Sequence, residues 1–360
     1  MENKLKNKKI ILVGGGTSGS VSPLLAIVAD LKQSEDFSFL FLGTKNGIEK
    51  EMVDEAGLRY KAIASGKLRR YFSWQNFLDI FKIKIAFCQS LFILLKEKPD
   101  LVMSAGSFVA MPVVWAAWVL RILVVVHQMD VRPGLANRIM APFAKVITVT
   151  FEKSLTDYGK KAIWIGNPIQ SAKCEVRSAN LIIEKKFSLK KNVPVVFIFG
   201  GGTGAEAINK LVEDGVDELC NFCQVIHSTG RGKMTTVKNE NYRSFEFLNA
   251  EEMTVALDIA DLVVSRAGLG ALTEISVHTK PAIIIPMPNS HQEDNAAMLV
   301  EKNVAFVLNQ KTLNADSFVV AIKTLLFDEI KKEELRKNIK TLFKAGANEE
   351  MIKIVKEILK

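Results

Sequence analysis

Val195-Val196-Phe197-Ile198-Phe199-Gly200-Gly201-Gly202-Thr203-Gly204 is an unbroken apolar run that stops at a glycine cluster. Such a run, β-branched and aromatic, reads as a buried strand, and the glycines read as a tight turn. Residues 205–219 then carry apolar side chains at helical spacing. The same grammar opens the chain: 9–13 is a strand, Gly14-Gly15-Gly16-Thr17-Ser18-Gly19 a turn, and 21–32 a helix. Further strands are expected at 37–42, 101–103, 123–126, 146–149, 224–227, 262–264 and 282–285, with helical segments between them. Alternation of this kind predicts an α/β chain with two doubly wound parallel sheets. Ligands bind such sheets at the carboxyl ends of the strands, so the two domains are expected to face each other across a cleft lined by the glycine loops. Pro168 in Gly166-Asn167-Pro168 interrupts regular structure, which places the linker there, with domains at 1–167 and 168–344.

Composition agrees with two cores: 360 residues with 48% hydrophobic content is two domains' worth of chain. Residues 1–9 are lysine-rich without an apolar segment and do not read as a secretory signal. Four scattered cysteines fit a reducing compartment. Cys220 and Cys223 form one C-x-x-C with no second pair, which reads as two half-buried helix residues rather than a zinc site. Residues 101–120 carry no charge over a length that could span a bilayer. Ser104, Gly106, Ser107 and Pro112 break the stretch, which reads instead as strand, turn, buried helix (about 108–120) and a further strand.

The stretch from Asp261 to Asn295 holds a candidate site. Leu262-Val263-Val264 is a short strand, Ala267-Gly268 with Gly270 a turn, and a helix is expected to start at Leu272. Unpaired N–H groups and the helix dipole at such a terminus suit a phosphate. Glu274, one turn in, offers two acceptor oxygens to a ribose cis-diol. The plainer alternative is a solvated helix glutamate beside a structural turn.

Neither glycine loop is specific alone. Gly14-x-Gly16-x-x-Gly19 matches a dinucleotide fingerprint, but the acid expected about twenty residues later is absent, since the second strand ends Leu42-Gly43-Thr44-Lys45. An ordinary nicotinamide enzyme is disfavoured, and no Walker motif is present.

Taken in order, Gly15-Gly16-Thr17-Ser18-Gly19-Ser20-Val21-Ser22-Pro23, His127-Gln128-Met129-Asp130 with Pro133-Gly134-Leu135-Ala136-Asn137-Arg138, Gly166-Asn167-Pro168, Gly200 to Ala205, Ser265-Arg266-Ala267-Gly268 and Gln292-x-x-Asn295-Ala296 closely resemble the MurG family. These are UDP-N-acetylglucosamine:undecaprenyl-diphospho-muramoylpeptide N-acetylglucosaminyltransferases of glycosyltransferase family 28. The resemblance runs from Ile10 into the last helix. It implies a GT-B fold in which a final helix, about 349–359, returns to the first domain. It also implies inverting transfer of N-acetylglucosamine to the muramoyl 4-hydroxyl of a lipid-linked acceptor, at the cytoplasmic face of the membrane.

The resemblance distributes the site residues. It places uracil near 247–250 and the loop at Gly202 and Thr203, phosphate at Leu269, Gly270, Ala271 and the adjoining Leu272 and Thr273, and ribose at Glu274. Sugar hydroxyls fall to Gln292 with His291 and Asn295, and the acceptor diphosphate to Thr17, Ser18, Gly19 and Ser20 with Ser107-Phe108. No cofactor or metal is expected, because helix N-termini can neutralise the leaving diphosphate and no Asp-x-Asp motif accompanies the site.

Three polar positions depart from the family. Its first loop ends in histidine, here Ser20; its His-Glu-Gln-Asn is here His127-Gln128-Met129-Asp130; and the arginine after Gly-Asn-Pro-x is here Gln170, for which Arg266 or Lys67 is a substitute phosphate partner. A base must titrate near working pH and reach the hydroxyl, which leaves Asp130 and His127 as candidates. Asp130 has the alternative of a surface carboxylate paired with Arg132, and His127 that of a core-edge histidine. An altered acceptor, or a silent UDP-sugar-binding paralogue, stands as the alternative function.

The net charge of +9 has a location. Lys67, Arg69, Arg70, Lys82, Lys84 and Lys96 are interleaved with Tyr71, Phe72, Trp74, Phe77, Phe81, Ile83, Ile85 and Phe87, opposed by Asp79 and Glu97. Basic and aromatic residues together suit an anionic membrane surface. Nucleic acid is disfavoured, since no nucleic-acid motif accompanies the charge. The alternative is an ordinary amphipathic helix.

Overall fold

A computed structural model describes residues 7–17, 19–32, 36–66, 74–169, 182–201 and 204–360. The chain forms two compact units, one of residues 1–170 with 343–360 and the other of residues 171–342. The boundary falls after the expected Gly166-Asn167-Pro168. Asn348 holds Ile169 at both its N–H and its carbonyl (2.9 and 3.1 Å). Gly166, at φ +93°, lies so close to the Lys344 carbonyl that an added Cβ would sit 2.4 Å from it.

The first unit contains β1 (Lys8–Val13), β2 (Phe37–Gly43), β3 (Arg59–Ala62), β4 (Leu101–Ser104), β5 (Leu123–Gln128), β6 (Val146–Val149) and β7 (Ala162–Trp164) in one parallel sheet of order β3-β2-β1-β4-β5-β6-β7. The second contains β8 (Val195–Phe199), β9 (Gln224–Ser228), β10 (Tyr242–Phe245), β11 (Leu262–Ser265), β12 (Ala282–Ile284) and β13 (Phe306–Val307), in the order β10-β9-β8-β11-β12-β13. Counted within each unit, both sheets run 3-2-1-4-5-6, with a seventh strand added at the edge of the first, the doubly wound order whose direction reverses between its first and fourth strands. The apolar runs explain the centres. Ile10 to Val13 are fully buried and all of β8 is buried, as in parallel strands covered on both faces.

The strands that sequence periodicity does not predict are β3, β7, β10 and β13. All four are sheet edges, and three of them carry only intermediate or exposed residues, such as Arg59-Tyr60-Lys61-Ala62, and so lack an apolar run. The uncharged stretch 101–120 is β4 and a helix at Ala110–Val119. Among the described residues no helix is long and apolar enough to cross a membrane. The last helix, Ala347–Ile358, lies on the first unit, where Asn348 donates to Asp30 on the helix Ser22–Leu31 (2.7 Å). Cys220 ends its helix and Cys223 lies beyond it. Both are buried rather than half-buried, and burial pushes the Cys220 thiol up to about 11 and Cys223 higher still.

Candidate active site

In the first unit three loops meet at the carboxyl ends of β1, β4 and β5. Gly16, at φ +86°, packs against the Phe108 ring, and Ser107 Oγ donates to the Gly15 carbonyl (2.8 Å). Ser20 is buried. Its hydroxyl donates toward the carbonyls of Gly15 (3.3 Å) and Thr17 (3.1 Å) and accepts from Gly15 N–H (3.3 Å). It is thus committed to the backbone of its own loop, while Thr17 stands exposed and Gly19 half-buried. Ser18 lies outside the described residues, as do Gln170, Gly202, Thr203, Lys67, Arg69, Arg70, Tyr71 and Phe72.

The segment after β5 is organised by Gln128, a residue whose role sequence reasoning missed. Its amide is buried. Nε2 donates to the carbonyls of Asp130 (2.7 Å) and Arg132 (3.1 Å), and Oε1 accepts from Asn137 Nδ2 (2.5 Å) and Tyr158 Oη (2.9 Å). All four hydrogen-bonding sites of the amide are used, which fixes the turn that carries Asp130. Asp130 itself is half-buried, and Arg132 forms an ion pair with Asp157 (3.5 Å). His127 is corrected: its ring is 1% exposed, with Nδ1 on Thr148 Oγ1 (3.0 Å) and Nε2 on Thr150 Oγ1 (3.2 Å). Burial pushes its pKa down to about 4, partly opposed by a hydrogen bond with Asn167. A ring closed off in this way and paired at both nitrogens cannot take a proton from a substrate hydroxyl.

In the second unit β11 runs into Gly268, the N-cap of a helix at Leu269–Val277. This helix starts three residues earlier than expected. Its first backbone bond is from Leu272 N–H to the Gly268 carbonyl (3.0 Å), so the N–H groups of Leu269, Gly270 and Ala271 precede the ladder and present the dipole's positive end. Leu272 leaves the candidate set, because its side chain is fully buried and its N–H is used. Thr273 Oγ1 donates back to the Leu269 carbonyl (2.7 Å).

Glu274 is exposed, although the surrounding protein tends to raise its carboxyl to about 7 by desolvation. Exposure decides between these, since desolvation requires that water be excluded, and Glu274 stands as a carboxylate at neutral pH.

The helix His291–Glu301 supplies the remaining groups. Gln292 Oε1 accepts from Met287 N–H (3.0 Å), and its Nε2 lies 3.9 Å from where a Cβ on Gly268 would project. His291 is exposed at the helix start. Asn295 is fully buried and donates to the Ala267 carbonyl (2.9 Å), so it positions the Ala267-Gly268 turn. Arg266 is buried, with Nη1 on the Ile285 carbonyl (3.0 Å), and burial lowers its pKa.

Around β9, His227 joins Tyr242 Oη (2.8 Å) and Asn209 Oδ1 (3.1 Å), while Asn209 Nδ2 reaches the Thr229 carbonyl (2.9 Å). Gly204, at φ +70°, is packed against that same carbonyl, where an added Cβ would sit 2.1 Å away. Beyond Thr229, the Arg231 guanidinium lies over the exposed Phe247 ring at 4.6 Å.

Two parallel sheets of this order, with glycine loops at the first strand of each and a helix N-terminus followed by a carboxylate in the second, make up the GT-B fold. The family model for the glycosyltransferase family 28 N-terminal domain matches residues 10–149, and that for the C-terminal domain matches residues 195–351. The chain belongs to glycosyltransferase family 28. It is 36% identical over 339 residues to the UDP-N-acetylglucosamine--N-acetylmuramyl-(pentapeptide) pyrophosphoryl-undecaprenol N-acetylglucosamine transferase of Clostridium kluyveri, covering 92% of each chain. Among solved structures, MurG of Acinetobacter baumannii superposes with a TM-score of 0.72 at 21% identity, covering 97% of this chain and 99% of that one. A UDP-GlcNAc 2-epimerase from Neisseria meningitidis, bound to UDP-GlcNAc, superposes at 0.70 with 14% identity, covering 97% and 100%. At such identities these two structures speak to the fold alone.

Proposed function

We propose that this protein transfers N-acetylglucosamine from UDP-N-acetylglucosamine to the 4-hydroxyl of a muramoyl-peptide carried on a diphosphoprenol. The observation that carries the reading is the convergence at Gly268. A helix N-terminus with N–H groups ahead of its ladder, a solvent-facing carboxylate one turn on, and the Gln292 amide over the turn together form a receptor for diphosphate, ribose diol and sugar hydroxyls. The similarity to the Clostridium kluyveri transferase over 92% of the chain supports the acceptor.

The acceptor hydroxyl oxygen forms a bond to the anomeric carbon with inversion. The bond from that carbon to the β-phosphate oxygen breaks, and its electron pair leaves with UDP. The N-terminus at Leu269, Gly270 and Ala271 stabilises the charge that develops on the diphosphate. Asp130, held by the Gln128 clamp, takes the hydroxyl proton. Glu274 holds the ribose, Gln292 with His291 the sugar, and Asn295 supports the Ala267-Gly268 turn, while Arg266 is held on the Ile285 carbonyl. Thr17 and Gly19 face the acceptor diphosphate, while Ser20 shapes their loop.

Membrane association belongs to the same proposal. On the helix Trp74–Glu97, the side chains of Phe81, Ile85, Cys88, Phe92 and Leu95 are exposed at 4-3-4-3 spacing, which forms one stripe. Lys82, Lys84 and Lys96 are exposed on this helix, while Asp79 and Glu97 are buried, with Lys82 on Asp79 and with Lys9 and Lys61 on Glu97. An apolar stripe flanked by cations suits an anionic lipid surface, where the acceptor is anchored.

The Asp130→Asn variant tests the catalytic part. It is expected to lower kcat by about 10²–10⁴-fold while binding UDP-N-acetylglucosamine normally. An unchanged kcat would remove Asp130 from the mechanism.

A further inference from the structure

A fully buried carboxylate lies under the first glycine loop, on the first residue of the helix Glu49–Glu55. Glu49 Oε2 accepts from Gly16 N–H (3.2 Å), and Oε1 accepts from Thr44 N–H (2.7 Å) and Thr44 Oγ1 (2.5 Å). Tyr60 Oη closes the same corner by donating to the Thr44 carbonyl (2.5 Å). Among the described residues Glu49 pairs with no cation. Three glycines make room for it. A Cβ on Gly15, Gly43 or Gly47 would sit 2.6, 2.9 or 2.0 Å from its side-chain atoms.

Burying a carboxylate without a cation is costly, and only its hydrogen bonds offset that cost. A small apolar side chain would fill the space more cheaply if filling were the only need. The hydrogen bonds are directed: they tie the end of β2 to one N–H of the glycine loop. The acid that the dinucleotide fingerprint expects at the end of β2, where it would meet a ribose, is absent, and the buried Glu49 of the next helix turns to the glycine loop instead. It occupies a loop N–H that a nucleotide phosphate would otherwise use.

We propose that Glu49 is a positioning residue of the first unit's glycine loop, fixing the turn at Gly15-Gly16-Thr17 in the shape that receives the acceptor's diphosphate and denying the loop to a nucleotide. The inference rests on the acceptor reading given above. Gly16 is turned to φ +86° with its N–H on Glu49, the Phe108 ring lies against it and Ser107 ties Gly15, so Glu49 is, beside Ser20, an internal anchor of the turn. Thr17, just beyond the anchor, is left exposed and Gly19 half-buried.

The test is Glu49→Gln, with Glu49→Asp beside it. In the glutamine variant the carbonyl oxygen stays with the two Thr44 donors, so its NH2 faces Gly16 N–H and that bond alone is lost. Hydrogen exchange is measured first, on the substrate-free protein. Exchange of the Gly16 amide is expected to speed up by about tenfold or more while the β1 amides are unchanged. With the wild-type enzyme's two substrates, the acceptor KM is expected to rise about tenfold and the donor KM to stay within about twofold. Glu49→Asp, which keeps the charge on a shorter arm, is expected to fall between.

Unchanged Gly16 exchange would overturn the anchoring. Faster exchange with an unchanged acceptor KM, or equal shifts of both KM values, would overturn the link to the acceptor. If the wild type shows no acceptor-dependent turnover, the transferase reading fails and the acceptor half of this inference falls with it, while the exchange result still decides the anchor.

Discussion

Replacing Gln128 with methionine keeps the length and approximate volume of the side chain and removes every hydrogen bond it makes. Four groups then lose a partner: the carbonyls of Asp130 and Arg132, the Asn137 amide and the Tyr158 hydroxyl. A buried polar group left unpaired costs about 1–3 kcal/mol, but Tyr158 and Arg132 lie close enough to solvent to recover part of it. A loss of about 3 kcal/mol is therefore expected, which lowers the melting temperature of the unit concerned by roughly 6–12 °C for a unit of this size. Tyr158→Phe removes only one of the four bonds and should cost about 1 kcal/mol.

Calorimetry of the whole chain, with UDP present to mark the second unit's transition, reads both values. Because the clamp carries Asp130, kcat should fall in Gln128→Met by more than the folded fraction accounts for, while UDP binding is unaffected. A transition within about 2 °C of wild type would show that the turn is held by something else, and the reasoning from Gln128 to Asp130 would fail.

Other consequences are as direct. His127 and His227 are buried neutral with folded pKa values of about 4 against 6.5 when unfolded, so protonation favours the unfolded chain. Their contribution is complete above pH 6.5 and lost as pH falls through 4. At about 1.4 kcal/mol per pH unit it amounts to about 3 kcal/mol each, and urea titrations at stepped pH should show a slope in that window that flattens in His227→Gln; a slope unaltered by the substitution would refute it. Glu274→Ala should weaken UDP-N-acetylglucosamine binding by about 1.5–3 kcal/mol in a calorimetric titration, and equal affinity would place the ribose elsewhere. Liposomes containing anionic lipid should retain the protein, and Phe81→Ser with Phe92→Ser and Lys84→Ser should release it; undiminished retention would remove the exposed stripe from the membrane-binding face.

Much of this fold is legible in the sequence because the central strands are long apolar runs that end at glycine. β1 and β8 announce themselves, and with them the repeated doubly wound order. β3 and β7 do not, since an edge strand such as Arg59-Tyr60-Lys61-Ala62 needs apolar cover on one face only and carries charge on the other.

The site is legible to a different depth. Gly268 and Glu274 follow from local pattern, because a turn, a helix start and their spacing are local properties, whereas Gln292 enters through the family resemblance. Gln128, Glu49 and the set Asn209–His227–Tyr242 are not, since their partners lie on other elements. Glu49 reaches Gly16 across 33 positions, and Tyr158 reaches Gln128 across 30. One trace of Glu49 was available: Gly43 and Gly47 on either side of Thr44, glycines that a simple strand exit does not require. His127 misled for a related reason. Its place at a strand end suggests access to a ligand, whereas two threonines on the neighbouring chain segment, Thr148 and Thr150, enclose it.

The central claim is tested most directly by UDP release from the purified protein given UDP-N-acetylglucosamine, with and without a short-chain muramoyl-pentapeptide diphosphoprenol, and with the product mass recorded. The account predicts release that depends on the acceptor and a product heavier by one N-acetylhexosamine residue. Nucleotide-sugar binding without acceptor-dependent release, or release with no such product, would contradict it.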